Sequence, residues 1–313
     1  MMKIAFLGSG KVGAAVAYTT ALKGLAHEIV MVDAFADKAH GEALDIMQAQ
    51  AFCPQTRVRH GDIAATAGSD IVVISAGIPR KADEPRVLLL SRNAALIADL
   101  VRQAVALSPD CIIFMITNPL DVMTQLAYQV SGLPAGRVIG MGTVLDTARY
   151  RSHLAAAFGV SAEDLDAYVI GEHGETMVPL TSGISLRGVP LAALPTFDNG
   201  KLDKVVADVI AASGQVIGLK GGTVFAPAAS ATAVLEAIIQ DSRAVLPVCT
   251  YNATHGVSIS LPTIVGRGGA GPVFEIAMSA AEKEKFAASL ANIKKYVAEL
   301  DGALGGANRQ QAS

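Results

Sequence analysis

The sequence predicts an α/β protein, with a doubly wound parallel sheet covered by helices on both faces and then an α+β half. Three observations carry that prediction. Short continuous apolar runs alternate with stretches of helical spacing across residues 3–141, the pattern of a parallel sheet with helical crossovers. After about residue 143 the rhythm changes to longer helices and glycine- and proline-punctuated segments. A glycine-rich turn, G-S-G-K-V-G, stands where the first apolar run meets the first helical stretch. The expected units are residues 1–142 and residues 143–313.

The elements follow in order. Residues 3–7 (K-I-A-F-L) are short, apolar throughout and followed by glycine, as a buried parallel strand should be. Residues 12–26 carry helical spacing, and residues 28–32 (E-I-V-M-V) are a second strand. Further strands are expected near 57–60, at 71–76 (I-V-V-I-S-A), at 111–117 (C-I-I-F-M-I-T) and at 137–141. Helices are expected between them at about 37–51, 86–107 and 120–131. In the second half the spacing predicts helices at 145–158, 201–218, 227–241 and 279–300, with strand-like runs at 246–251 and 257–259. The Gly/Ala/Gln tail beyond residue 300 should fray. Leu145, Leu154, Ala155 and Phe158 give the 145–158 helix more apolar face than one core needs, which suggests a subunit contact.

Composition narrows the class. The 313 residues are 51% hydrophobic and 17% charged, with a mean hydropathy of +0.43, the reverse of a disordered chain. No run reaches the roughly 18 to 20 uninterrupted apolar residues that a spanning helix needs, so no membrane partner is expected. The net charge is −3 and no basic stripe stands out, so nucleic acid is not an expected partner. Lys3 and the apolar residues after it could imitate a secretion signal, but Lys11 and Gly8, Gly10 and Gly13 interrupt it. A cytoplasmic protein is expected. Cys53, Cys111 and Cys249 are odd in number and lack metal-ligand spacing, so they read as buried, inert thiols. His27, His40, His60 and His255 form no cluster with carboxylates, and no metal is expected.

The glycine turn is the first chemical signal. It follows a strand and opens a helix, and Asp33 ends the second strand 20 residues after Gly13. Gly8 permits a tight turn, Gly10 lets backbone approach a pyrophosphate, and Gly13 lets helix and strand pack closely. The helix start offers free N–H groups to phosphate. Asp33 suits two ribose hydroxyls and would repel a 2′-phosphate, so NAD is favoured over NADP.

Four weaker signals lie downstream. The loop A-G-I-P-R-K-A-D-E-P-R carries Arg80 and Arg86 at the carboxyl end of a strand, the ligand side of such sheets, although two loop arginines are equally explained by solvent. T-N-P-L-D ends a buried strand with Asn118, and also fits a plain helix entry. Asp146 and Arg149 share one helical face, as would a surface ion pair. His173 sits between glutamate and glycine in I-G-E-H-G-E-T.

In this order and at this spacing, these segments resemble the lactate/malate dehydrogenase family over essentially the whole chain. The resemblance implies a Rossmann NAD-binding half, a substrate half and reversible hydride transfer between NADH and a 2-oxo acid. It makes His173 the proton donor and acceptor, Asp146 its orienting partner, Arg149 the anchor for the substrate's C1 carboxylate and Arg86 the group that polarises the carbonyl. Asn118 would bind substrate and line the nicotinamide site. Gly8, Ser9, Gly10, Lys11, Val12 and Gly13 would hold NAD, together with Asp33, Asn93, Ile116 and Thr117. It also implies a homodimer or homotetramer.

The same resemblance points to the substrate. The discriminating position lies six residues before the loop arginine and is Arg80 here. Malate-type members place Arg there and lactate-type members Gln. A second free arginine is satisfied by oxaloacetate and left unpaired by pyruvate, so malate dehydrogenase is the first reading. An L-lactate or broader 2-hydroxy-acid dehydrogenase is the alternative. Ala82, Asp83, Glu84 and Pro85 depart from the usual malate-type loop, and Thr223 falls where lactate-type members place Thr beside the substrate methyl. A non-catalytic NAD(H) sensor is the reading from another class; an oriented imidazole argues against it.

Overall fold

Ile4, Ala5, Phe6 and Leu7 are sealed from solvent in β1 (Lys3–Leu7), and the architecture grows outward from that strand. The computed structural model describes the backbone of residues 2–78 and 86–311, and the side chains of these other than 86–89 and 303–311. After β1 come α1 (Lys11–Leu22), β2 (Glu28–Val32), α2 (Ala36–Gln48), β3 (Arg57–His60) and β4 (Ile71–Ile74). Next are α3 (Arg86–Leu107), β5 (Ile112–Met115), α4 (Leu120–Ser131) and β6 (Val138–Gly140). These six strands are parallel and lie in the order β3-β2-β1-β4-β5-β6. The order reverses between β1 and β4, so the carboxyl ends of those two strands flank the crevice where ligands bind in such sheets. β4 and β5 are buried at every residue, which is why they read as unbroken apolar runs.

The second half opens with α5 (Val144–Phe158). The short strands β7 (Leu165–Asp166), β8 (Val169–Ile170), β9 (Val178–Pro179), β10 (Ser185–Leu186) and β11 (Val189–Pro190) follow. Then come α6 (Asn199–Lys220), α7 (Phe225–Ile239), β12 (Ala244–Asn252), β13 (Val257–Gly266), β14 (Gly269–Val273) and α8 (Ala280–Gln311). β12, β13 and β14 do not form a sheet of their own. β12 pairs antiparallel with β6, at Cys249 opposite Gly140, and the three strands extend the parallel sheet to nine.

Most expected elements are present within a few residues, and the differences have physical causes. Strands expected to reach residues 76 and 117 stop at Ile74 and Met115, releasing the residues after them to the crevice. α8 runs on to Gln311. Gly302, Gly305 and Gly306 lower helix propensity without ending the helix, and the segment has no proline to stop it. The apolar face of α5 is used inside the chain. Leu145, Leu154 and Phe158 are buried there, and α5 packs against α6 and α7. Tyr150 on the same helix is fully buried and its hydroxyl donates to Leu180 O at 3.1 Å. Each such side chain contributes roughly 1.5–3 kcal/mol of burial. The most exposed large apolar side chains among the described residues are elsewhere, at Phe35, Phe52, Leu219 and Phe225. Among the described residues no helix is long and apolar enough to cross a membrane.

Candidate active site

The glycine turn is built by steric demand at two positions and left open at a third. Gly8 has φ +105°, and a Cβ there would come within 2.5 Å of Ala76 N. A Cβ on Gly13 would overlap Gly8 O and Ser75 Oγ. Gly10 is different, since a Cβ there would meet nothing within 4 Å. Among the described residues no contact therefore requires glycine at that position; a ligand brought against the backbone would. Gly10 caps α1 without a side-chain hydrogen bond, so the helix start keeps donors free for an anion. The buried Ser9 Oγ also lacks a partner among the described residues.

Asp33 stands beside this turn. Its Oδ2 accepts from Ser9 N at 2.7 Å and its Oδ1 from Phe35 N at 3.0 Å, with Lys38 Nζ 3.9 Å from Oδ2. These bonds fix the carboxylate at the end of β2. A cavity of about 290 Å³ is lined by Gly10, Lys11, Val12, Gly13 and Ser75 on one side and by residues 220–224, including Thr223, on the other. These features fit a dinucleotide. A larger hollow of about 520 Å³ lies among Tyr18, Glu42, Asp45 and Phe225, and Lys11 alone of the expected site residues lines it.

The neighbouring loops are pinned from inside. Ser75 Oγ donates to Gly8 O at 2.9 Å, and Thr117 Oγ1 donates to Ala76 O at 2.6 Å. Asn93 is buried, and its Oδ1 accepts from Ile78 N at 2.7 Å. In this structure its amide therefore holds the loop backbone. Ile116 and Thr117 are buried beyond β5, and Asn118 after them is exposed. Arg80 lies outside the described residues. Arg86 begins α3, and its side chain is outside them too.

The residues expected to form the acid–base group come together from α5 and the loop after β8. Asp146 is fully buried in the first turn of α5. Its Oδ2 is 2.6 Å from His173 Nδ1, and its Oδ1 accepts from Arg149 Nη1 at 3.0 Å. Arg149 is one turn along the same helix, so the helical spacing delivers the guanidinium to the carboxylate. A carboxylate accepts, so the proton lies on Nδ1 and the neutral ring presents Nε2 as its acceptor. Burial acts to lower the His173 pKa. The Asp146 carboxylate outweighs it, with Asp121 adding to the rise and Arg149 opposing it, so the imidazole titrates above its ordinary value.

Other groups that sequence reasoning missed hold this loop. His173 N donates to Asp121 Oδ2 at 2.8 Å, and Glu172 N donates to Ser289 Oγ at 2.8 Å. Glu172 Oε2 accepts from Asn292 Nδ2 at 2.8 Å and from Thr176 Oγ1. Val169 is clamped to α5, since Thr143 Oγ1 donates to its carbonyl at 2.5 Å and its N–H donates to Thr147 Oγ1 at 2.9 Å. Asp121 was legible only as part of T-N-P-L-D, and nothing in sequence linked Ser289 or Asn292 to residue 172. Cys249, expected to be inert, is buried beside the Asp121 carboxylate and shares its electrostatics.

Comparison with known proteins identifies the family. Residues 2–140 match the lactate/malate dehydrogenase NAD binding domain, and residues 143–301 match the alpha/beta C-terminal domain of the same family. L-lactate dehydrogenase A of Hordeum vulgare is 40% identical over 90% of this chain and 83% of its own. A malate dehydrogenase of Rhodopirellula baltica is 36% identical over 96% of this chain and 98% of its own. The crystal structure of minor L-lactate dehydrogenase from Enterococcus mundtii superposes with a TM-score of 0.92 at 31% identity, covering 96% of this chain and 98% of that one. The chain belongs to the lactate/malate dehydrogenase family and is an NAD-dependent oxidoreductase.

Proposed function

We propose that the chain catalyses reversible hydride transfer between NAD(H) and malate/oxaloacetate, with His173 moving the proton. The observation that carries the chemistry is the contact between His173 Nδ1 and the buried Asp146 carboxylate. Reduction of a ketone builds negative charge on its oxygen, and a proton must arrive from a group that titrates near neutrality. Asp146 fixes the tautomer, supports the imidazolium and leaves Nε2 to face the reacting oxygen. Arg149, held by its Nη1, keeps the rest of its guanidinium for a substrate carboxylate. Gly10 and the start of α1 hold the pyrophosphate, and Asp33 the ribose; when bound, NAD(H) supplies the hydride donor or acceptor.

Substrate choice rests on Arg80 in the sequence. A free second arginine in a closed pocket is paired by oxaloacetate and left alone by pyruvate, a difference of roughly 10²- to 10³-fold. Two specific observations favour a second reading, an L-lactate dehydrogenase. Thr223 lines the cavity beside the glycine turn, and several relatives of 35–40% identity bear that name. Exposed Phe35, Phe52, Leu219 and Phe225 support a homodimer or homotetramer. The deciding experiment compares oxaloacetate and pyruvate side by side with NADH, and then with NADPH. Preference for pyruvate would replace the malate reading with the lactate one. Binding of NADH without turnover of either acid would end the enzymatic reading.

A further inference from the structure

His173 is served by a second buried carboxylate in addition to Asp146. Asp121 sits in the first turn of α4, is 3% exposed, and offers Oδ2 to His173 N at 2.8 Å. Its Oδ1 is buried with no hydrogen-bond partner among the described residues, and the Cys249 thiol of β12 lies close enough to act on the carboxyl. Three elements distant in sequence thus meet behind the histidine: α4, the loop after β8, and β12. A fold needing only an acceptor for one backbone N–H would be served by a neutral side chain. A carboxylate with half its oxygens unpaired is costly to bury.

We propose that Asp121 is a positioning residue for the proton-transfer step, fixing the backbone of His173 while its charge favours the imidazolium, with Cys249 supporting that charge. The inference rests on His173 being the proton carrier. Among the described residues, the charged and titratable groups facing this cluster are His173 and Glu172 from the loop, Asp146 and Arg149 from α5, and Cys249 from β12. Burial raises the Asp121 pKa to about 6, with His173 acting to lower it, and the Asp121 carboxylate in turn acts to raise the His173 pKa, so each group favours the charged form of the other.

The test is the titration of the His173 ring by NMR in the full-length protein, alongside the pH profile of NADH-dependent 2-oxo-acid reduction. Asp121→Asn keeps a carbonyl oxygen for the His173 N–H and removes the charge. The His173 midpoint and the alkaline limb of kcat/KM should then move together to lower pH, by about half to one unit. Cys249→Ala removes the neighbour that supports the charge and should move both in the same direction by less; it decides the matter if Asp121→Asn does not fold. A midpoint and limb unmoved in the variants that fold, with rate lost equally at every pH, would overturn the proposal and leave Asp121 a purely structural acceptor. A shifted midpoint in a protein that turns over no 2-oxo acid would support the positioning role and sink the proposed function.

Discussion

Asp146 Oδ2 lies 2.6 Å from His173 Nδ1, and the carboxylate that makes this contact is fully buried. Burial alone would depress the imidazole's pKa, but the Asp146 charge reverses the direction and raises it. In the proposed reaction, reduction of the oxo acid consumes the imidazolium. Its rate should therefore be high below the ordinary histidine pKa and persist above it, falling only as pH passes the raised value. Oxidation needs the neutral ring and should rise through the same region. Profiles of kcat/KM in the two directions that failed to mirror each other would show that another group titrates.

Replacing the proposed proton carrier separates chemistry from binding. His173→Asn should lower turnover by roughly 10²- to 10⁴-fold while NADH affinity, measured by fluorescence, stays within a few-fold. The reason is placement: His173 is not among the residues lining the cavity at the glycine turn. An unchanged rate would transfer the proton role elsewhere.

Two glycines of one turn should respond in opposite ways. Gly10→Ala adds a methyl group to open space, so stability should change by less than about 0.5 kcal/mol. The methyl group then occupies the approach to the pyrophosphate, and NADH affinity should fall about tenfold or more. Gly13→Ala drives a Cβ into Gly8 O and Ser75 Oγ and should cost about 2–4 kcal/mol of stability. Denaturant midpoints and NADH titrations on the same two proteins check both halves.

Why could sequence reach some of this and not the rest? The parallel strands were legible because each is buried on both faces, which leaves an uninterrupted apolar run such as Ile71–Ile74. The glycine turn was legible because backbone geometry restricts residue choice locally. The joining of β12 to β6 was hidden, since antiparallel strands can pair with either edge and only packing decides. The grip of α8 on the His173 loop was hidden for a related reason. Ser289 and Asn292 lie 117 and 120 positions from Glu172, and a serine or asparagine on a helix carries no mark of its partner. The surplus apolar face of α5 was misread because a helix buried between two others looks, in sequence, like one that meets a second subunit. One signal was present and unused: S-A-A-E at residues 279–282 is a capping box.

The loop arginine sets the substrate only if its charge meets the distal end of the acid. Arg80→Gln should therefore move selectivity from oxaloacetate toward pyruvate by roughly 10²-fold or more. The effect should fall mainly on oxaloacetate, whose second carboxylate loses its partner. Ratios of kcat/KM that match before and after the change would place Arg80 away from the substrate.

That capping box gives the last prediction. Glu282 is buried, and its two oxygens accept from Thr181 N at 2.7 Å, Ser182 N at 3.0 Å, Ser182 Oγ at 2.6 Å and Ser279 N at 2.7 Å. Ser279 Oγ accepts in return from Glu282 N at 3.3 Å. The carboxylate thus starts α8 and ties it to the segment after β9. Burial acts to raise its pKa, but these donors outweigh burial and bring it to about 2. A carboxyl whose folded pKa is depressed stabilises the fold above its ordinary value near 4.5 and loses that contribution as pH falls toward 2. Glu282→Gln should therefore cost about 1–3 kcal/mol at neutral pH, because the amide turns an N–H₂ toward groups that are themselves donors. In acid the wild-type carboxyl takes up a proton and meets the same crowding. Urea midpoints of the two proteins should be well separated at about pH 7 and draw together as pH falls to about 2, and a separation that stayed constant would show that packing rather than charge holds the start of α8.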